Sequence, residues 1–291
     1  MPKLDENIFL RIAEALERMS PPKDSFGDLT KANSYLWKSN PDRLIAIYEC
    51  SEITLDLLVG IDGVKTQVLN NTVQFAKGFT ANNILLWGAR GTGKSSLVKS
   101  VHQEVASKFS NLKLIEIQRE DLFSLDRLLS ILAGIGSDHR YIVFCDDLSF
   151  SGEDKEFKNL KTLLDGGVVE KPENVLVYST SNRKHLISRE MIENENSAGI
   201  APSEATEEKV SLSDRFGLVL GFYPCTQKSY LEMILLYRDA FNIPIDKEKL
   251  LQDAIEWQQT RGSRSGRVAW QYILDLAGKL RIPLEKKIVR Y

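Results

Sequence analysis

Asn83-Ile84-Leu85-Leu86-Trp87-Gly88-Ala89-Arg90-Gly91-Thr92-Gly93-Lys94-Ser95-Ser96 decides how the rest of the chain is read. Ile84 to Trp87 is an apolar run too short for a helix and long enough for a buried strand. Gly88 to Ser95 fits G-x-x-x-x-G-K-[ST] at every fixed position. The glycines let the backbone wrap a phosphate chain and aim successive N–H groups at it. Lys94 offers a point charge to the outer phosphates, and Ser95 offers a hydroxyl to Mg²⁺. Leu97 to Phe109 is helical in pattern, which turns the positive end of a helix toward the same anion. The competing reading is a glycine-rich turn that matches by chance. A strand before the motif and a helix after it are what a nucleotide-binding loop requires, and both are present.

Bulk properties agree with a soluble enzyme-sized chain. Its 291 residues suffice for an α/β domain and one smaller neighbour. Hydrophobic residues make up 43% and charged residues 27%, as in ordinary globular proteins. A net charge of −2 argues against a global nucleic-acid footprint without excluding a local basic patch. No apolar run approaches membrane-spanning length, and the N-terminus lacks the form of a signal peptide, so a cytoplasmic protein is expected. Cys50, Cys145 and Cys225 are scattered and read as buried reduced thiols. His102, His139 and His185 give no metal-ligand spacing.

Along the chain, Leu4, Ile8, Ile12, Ala15, Leu16 and Met19 form one helical stripe that ends at Ser20-Pro21-Pro22. Asn40-Pro41 resembles a helix N-cap and first position, predicting a second helix that buries Leu44, Ile47, Tyr48 and Leu55. Leu57 to Asp62 is a glycine-centred lead-in to a helix carrying Val64, Val68 and Phe75. Its apolar residues around Val59 and Gly60 suit a flat, dry slot for a purine. Beyond the loop come a strand at Leu112–Ile117, a helix face of Leu125, Leu128, Leu129 and Leu132, and a buried strand from Tyr141 to Cys145. That strand runs into Asp146-Asp147. A carboxylate at such a tip can hold Mg²⁺, and its neighbour can orient or deprotonate a water; alternatively the pair is a solvated turn.

Phe157, Leu160, Leu163 and Leu164 predict a further helix closed by Gly166-Gly167. Asn174 to Tyr178 is another strand, and Asn182 past its end either reaches the γ-phosphate or simply makes a turn. Residues 190–209 read as a polar surface insertion. Ser213-Asp214-Arg215-Phe216-Gly217 precedes a last strand, Leu218 to Phe222. Arg215 is either a salt-bridged structural residue or an arginine finger offered to a neighbouring subunit. Three helical patterns then close the chain. The basic joint ahead of the third, Arg261 to Arg267, is either a solvated face or a phosphate clamp.

Taken together these phrases resemble a AAA+ ATPase over roughly residues 58 to 280, and most closely the bacterial ATPases called the domain-of-unknown-function 815 family. Trp87 to Ser96, Phe144-Cys145-Asp146-Asp147-Leu148, Thr180-Ser181-Asn182-Arg183 and Leu212 to Gly217 carry the resemblance. It implies an α/β P-loop NTPase: a parallel sheet flanked by helices, with a small C-terminal helical lid and an N-terminal helical segment. The division implied is 1–57 helical segment, 58–225 nucleotide-binding domain and 226–291 lid. ATP and Mg²⁺ are the implied cofactors. Gly88, Ala89, Arg90, Gly91, Thr92, Gly93, Lys94, Ser95 and Ser96 would form Walker A. Asp146 and Asp147 would be Walker B, with Ser95 and Asp146 on the metal, and Asn182 would be sensor 1. Arg215 would be the trans-acting finger and Arg264 or Arg267 sensor 2. A homo-oligomer, ring or partial ring, acting on a protein or nucleic-acid partner is implied as well.

Two features depart from that pattern. Asp146-Asp147 stands where most relatives have Asp-Glu, which resembles replication initiators. Gln118 to Leu125 lacks the aromatic-apolar-Gly triplet of a threading pore loop, which favours a loader, switch or clamp over an unfoldase. The reading adopted is an Mg-ATP-hydrolysing AAA+ protein that remodels a macromolecular partner. The alternatives are a P-loop kinase with a small acceptor and a nucleotide-gated scaffold with little turnover.

Overall fold

The computed structural model describes residues 29–48, 53–135, 138–148, 160, 161, 164, 172–183 and 213–284. Their strands are β1 (Ser34–Ser39), β2 (Asp42–Ile47), β3 (Ile84–Gly88), β4 (Leu112–Ile117), β5 (Arg140–Cys145), β6 (Val175–Ser181) and β7 (Leu218–Phe222). They form one seven-stranded sheet in the order β2-β1-β4-β5-β6-β3-β7. Every pairing is parallel except the antiparallel β1–β2 hairpin.

Successive strand residues alternate between two cores, so the central strands are apolar on both faces. Ile84, Leu86, Ile142 and Phe144 pack toward α1 (Asp62–Ala76) and α2 (Lys94–Ala106), with Phe75, Leu97 and Val101 as their partners. Leu85, Val143 and Val177 pack on the opposite face with Leu125, Leu128 and Leu132 of α3 (Leu125–Gly134). β6 lies between β3 and β5. All three run the same way, so the phosphate loop, Asp146-Asp147 and Asn182 leave the sheet at one edge, where α/β sheets place their ligands.

The predicted helix beginning at Pro41 is corrected by the hairpin. Asn40-Pro41, joined by a cis peptide bond, makes its turn. Leu44 and Ile47 sit three apart and so imitate a helical stripe. The burial pattern instead has the two-residue period of a strand, with Leu44 buried, Ile45 39% exposed and Tyr48 72% exposed. Non-local pairing decides the conformation: Tyr35 and Trp37 of β1 lie opposite Ile115 and Ile117 of β4. Trp37 is fully buried and donates from Nε1 to Ser124 Oγ at 2.8 Å. Leu55 belongs to a separate 3₁₀ turn, Leu55–Leu57. Thus within the segment 1–57 expected to be helical, residues 34–47 extend the sheet.

The three C-terminal helical patterns are α4 (Gln227–Ala240), α5 (Lys247–Arg261) and α6 (Gly266–Leu280). Thr226, Asp246 and Ser265 cap them, each side-chain oxygen accepting from a first-turn N–H. Gly262, at φ 67°, ends α5 in the left-handed conformation that glycine adopts without strain. Tyr230, Ile234, Leu250, Ala254 and Ile273 form this lid's own core, and Leu57 from the lead-in is buried in it.

Several expectations fall outside the described residues: the stripe at 4–19, Cys50, the insertion at 190–209, and most of the helix at 157–167. Of that last helix Leu160, Lys161 and Leu164 are described, and they are helical. Cys145 is buried and free, its thiol pushed up to about 12 by burial; Cys225 is free and half-buried. Among the described residues, no helix is long and apolar enough to cross a membrane.

Candidate active site

The phosphate loop is shaped by its glycines. Gly88 has φ 145°, and a Cβ there would lie 2.3 Å from the Phe222 carbonyl oxygen, so this glycine serves the close packing of β3 on β7. Gly91 at φ 77° and Gly93 at φ 94° make the turn, and Gly93 is the N-cap of α2. Helix α2 therefore begins at Lys94, with its unpaired N–H groups at the loop.

Polar side chains from the loop and from two strand ends converge on this turn. Lys94 Nζ donates to the carbonyls of Gly88 at 2.8 Å and Ala89 at 2.9 Å, and to Asn182 Oδ1 at 3.3 Å. Burial holds its ammonium below the ordinary lysine range, Asp147 and Asp146 pull the other way, and Arg267 and Arg90 add to the depression. Ser95 Oγ donates to Asp146 Oδ1 at 2.6 Å, and Thr180 Oγ1 donates to the same oxygen at 2.5 Å. The Asp147 N–H donates to Thr180 Oγ1 at 2.8 Å and to Asp146 Oδ1 at 3.1 Å. These bonds fix Asp147 in the left-handed region, φ 51°, where a non-glycine residue is uncommon. Asn182 Nδ2 donates to Asp147 Oδ1, and Arg90 Nη2 stands 3.7 Å from Asp147 Oδ2.

A cavity of about 550 Å³ opens beside these groups. Residues 90–96, Asp146, Asp147, Thr180 and Asn182 make its polar end. Ile53, Leu57, Leu58, Val59 and Ile61 make an apolar floor, which Met233, Tyr237 and Trp270 of the lid complete. Trp270 meets Tyr237 edge to face, with centroids 5.6 Å apart and planes at 80°. The lid touches the loop directly: the Arg267 N–H donates to the Gly91 carbonyl at 3.3 Å, and a Cβ on Gly91 would stand 3.1 Å from Ser265 Oγ.

The cavity thus brings together Val59, Arg90, Gly91, Thr92, Gly93, Lys94, Ser95, Ser96, Asp146, Asp147, Asn182 and Arg267 from the sequence reading. Gly88 and Ala89 contribute carbonyls to Lys94 from outside the cavity wall. Gly60 lies outside it too, at φ 79° with its Cβ position 3.5 Å from Ser229, where it turns the lead-in beneath the lid. Arg264 turns away and donates from Nε to Gln258 Oε1 of α5 at 3.0 Å. Arg215 is partly buried in the turn before β7, beside the buried Phe216, and outside the cavity wall. Ile53, Met233, Tyr237 and Trp270 escaped the sequence reading as site residues. Apolar side chains give no signal that separates a ligand wall from a core.

The donor set fits a small hard cation. Ser95 and Asp146 offer one hydroxyl and one carboxylate within 2.6 Å of each other, which suits an ion whose remaining ligands are phosphate and water. Among the described residues, no group of three or more His, Cys, Asp or Glu could make a metal cage.

Solved structures of similar fold include the FIGL-1 AAA domain in complex with ADP. It has a TM-score of 0.50 and 17% identity over 82% of this chain and 80% of that one. The Thermotoga maritima RuvB Holliday junction branch migration motor matches with a TM-score of 0.46 and 16% identity, over 80% of this chain and 74% of that one. For the Aeropyrum pernix Orc1 protein in complex with DNA, the TM-score is 0.45 and the identity 15%, covering 80% and 71%. No curated protein matches the sequence. The sheet order and the FIGL-1 likeness make this a AAA+ P-loop ATPase fold. The family model described as protein of unknown function (DUF815) matches residues 30–280, and the chain belongs to that family.

Proposed function

We propose that this protein binds ATP with Mg²⁺, hydrolyses it, and couples the cycle to assembly and remodelling of a macromolecular partner. The observation that carries this reading is the Ser95–Asp146 hydrogen bond at 2.6 Å, with Lys94, Asp147 and Asn182 around the same cavity end. Ser95 and Asp146 would hold Mg²⁺, which supplies charge neutralisation between the outer phosphates. Lys94 leaves the loop carbonyls for the triphosphate, regaining the anionic partner that its burial demands. Asp147 takes a proton from the attacking water, and Asn182 orients that water or the γ-phosphate. The apolar end accepts the base by shape and dryness.

Arg215 acts in trans, as the finger of a neighbouring subunit in a ring or partial ring. Its loss should cost on the order of a thousandfold in turnover and leave ATP binding largely intact. The test is complementation. Arg215→Ala retains a whole phosphate site and Lys94→Ala retains a whole finger, so each alone should be inactive and mixed assemblies should recover phosphate release without any acceptor. Full turnover by Arg215→Ala alone, or no recovery despite confirmed co-assembly, removes the trans arrangement. Failure of the wild-type protein to release phosphate removes the ATPase.

A further inference from the structure

Asp147 is the residue on which hydrolysis turns, yet both of its carboxylate oxygens are engaged: Oδ1 by Asn182 Nδ2 and Oδ2 by Arg90, whose Nη2 lies 3.7 Å away. We infer that Arg90 is a positioning residue that exchanges between Asp147 and the terminal phosphate, so that the base is released only when a γ-phosphate is present. This rests on the ATPase reading above.

Four features of the loop support the exchange. Arg90 occupies a variable position of the phosphate-loop motif, so the turn does not require it. Its side chain is 76% exposed and that of Asp147 54%, and an ion pair so exposed is weak enough to be given up. Arg90 lines the same cavity end as Lys94, Asp147 and Asn182, so its second partner lies within the same site. The Asp147 backbone is held by Thr180 and Asp146 and its Oδ1 by Asn182, so the carboxylate is held back when the guanidinium leaves. A terminal phosphate carries more charge than one carboxylate and offers paired oxygens to the planar guanidinium fork. A diphosphate ends one group earlier and leaves Arg90 on Asp147. The loop would then distinguish ATP from ADP through a residue outside the fixed positions of its motif.

The experiment is a binding cycle, which needs no turnover. Dissociation constants for a non-hydrolysable ATP analogue and for ADP are measured with Mg²⁺ on wild type, Arg90→Ala, Asp147→Asn and the double variant, with melting curves as a folding check. Arg90→Ala should weaken the analogue about tenfold and ADP less than twofold, and Arg90→Lys should recover part of the loss. Asp147→Asn should tighten the analogue, both by removing a negative charge and by freeing Arg90. In the Arg90→Ala background only the first effect remains, so the gain should shrink about threefold. Equal losses for analogue and ADP, or additive effects of the two substitutions, overturn the exchange. If wild type binds neither nucleotide, or Lys94→Ala binds both as wild type does, the ATPase reading itself falls, and the two failures are distinguishable.

Discussion

At the polar end of the cavity, residues 90–96 arrive as one contiguous turn. At the apolar end, Ile53 and Val59, Met233 and Tyr237, and Trp270 arrive from segments far apart in the chain. The first end is built by local backbone geometry, with two glycines at positive φ and a helix start aimed at one point. The second exists only because the lid core closes over Leu57. An anion site needs oriented N–H groups, which a short sequence can specify by itself. A dry slot needs only apolar surface, and any segment that packs there can supply it.

The largest expected effect separates the two ends by what they sense. Lys94→Ala removes a buried cation from the phosphates, and its loss should weaken ATP about a thousandfold, near 4 kcal/mol. ADP should suffer less, because it presents less charge to the lysine. Titration with a fluorescent nucleotide reads both. Equal losses for the two nucleotides would mean that Lys94 supports the shape of the loop rather than the charge it meets.

The same contrast explains what was legible in the sequence. Strands β3 to β7 are short apolar runs between turn residues, and α2 follows a motif whose every fixed position is physical, so both could be read before the fold was known. The β1–β2 hairpin could not. Leu44, Ile47 and Tyr48 satisfy a helical spacing, and only the pairing of β2 with β1 shows that Leu44 and Ile45 face opposite ways. In the candidate site, Lys94, Ser95, Asp146, Asp147 and Asn182 were legible because their chemistry restricts them to few residue types, at a phosphate-loop helix start or just past a strand end. Trp270 was not, since an aromatic in a helix of core residues carries no mark of a ligand. Arg264 and Arg267 were equivalent in sequence, and the turn of α6 separates them.

Behind the polar end, α2 carries a buried titratable group. His102 on its buried face is fully enclosed, and its Nε2 has no hydrogen-bond partner among the described residues. Burial pushes it down to about 4 from 6.5. Below pH 6.5 the unfolded chain takes up a proton that the folded one refuses. The stability due to neutral His102 is therefore whole above pH 6.5, falls as the pH drops, and is lost by pH 4, a change of up to about 3 kcal/mol. Urea unfolding at pH 7.5, 5.5 and 4.5 checks this against His102→Gln, which should lose that part of the slope. Parallel profiles would show that acid acts elsewhere.

Trp270→Ala tests the apolar end. Removing the ring opens one wall of the slot and should weaken nucleotide binding about tenfold, near 1.4 kcal/mol. ATP and ADP should be affected alike, because this end meets the base and not the phosphates. Trp270 also packs on Tyr237 and Phe241, so a melting curve must confirm that the lid remains folded. A loss selective for ATP would show that the lid reads the phosphates through Trp270, and the division between the two ends would fail.

Where the ends meet, two arginines near the start of α6 give the smallest and most selective contrast. Arg267 lines the cavity, its N–H bonds the Gly91 carbonyl, and its charge bears on Lys94. Arg264 spends its Nε on Gln258 within the lid. Arg267→Ala should therefore weaken the non-hydrolysable ATP analogue about fivefold, near 1 kcal/mol, as expected for one exposed cation beside a phosphate. Arg264→Ala should leave affinity within twofold and, by leaving the buried Gln258 oxygen without this donor, cost about 1 kcal/mol of stability. The pair is informative because both substitutions remove the same charge from the same segment. A general basic face would make them equal, whereas a clamp makes only Arg267 matter. Equal losses would place the lid's contribution in diffuse charge, and the Gly91 contact would then be packing alone.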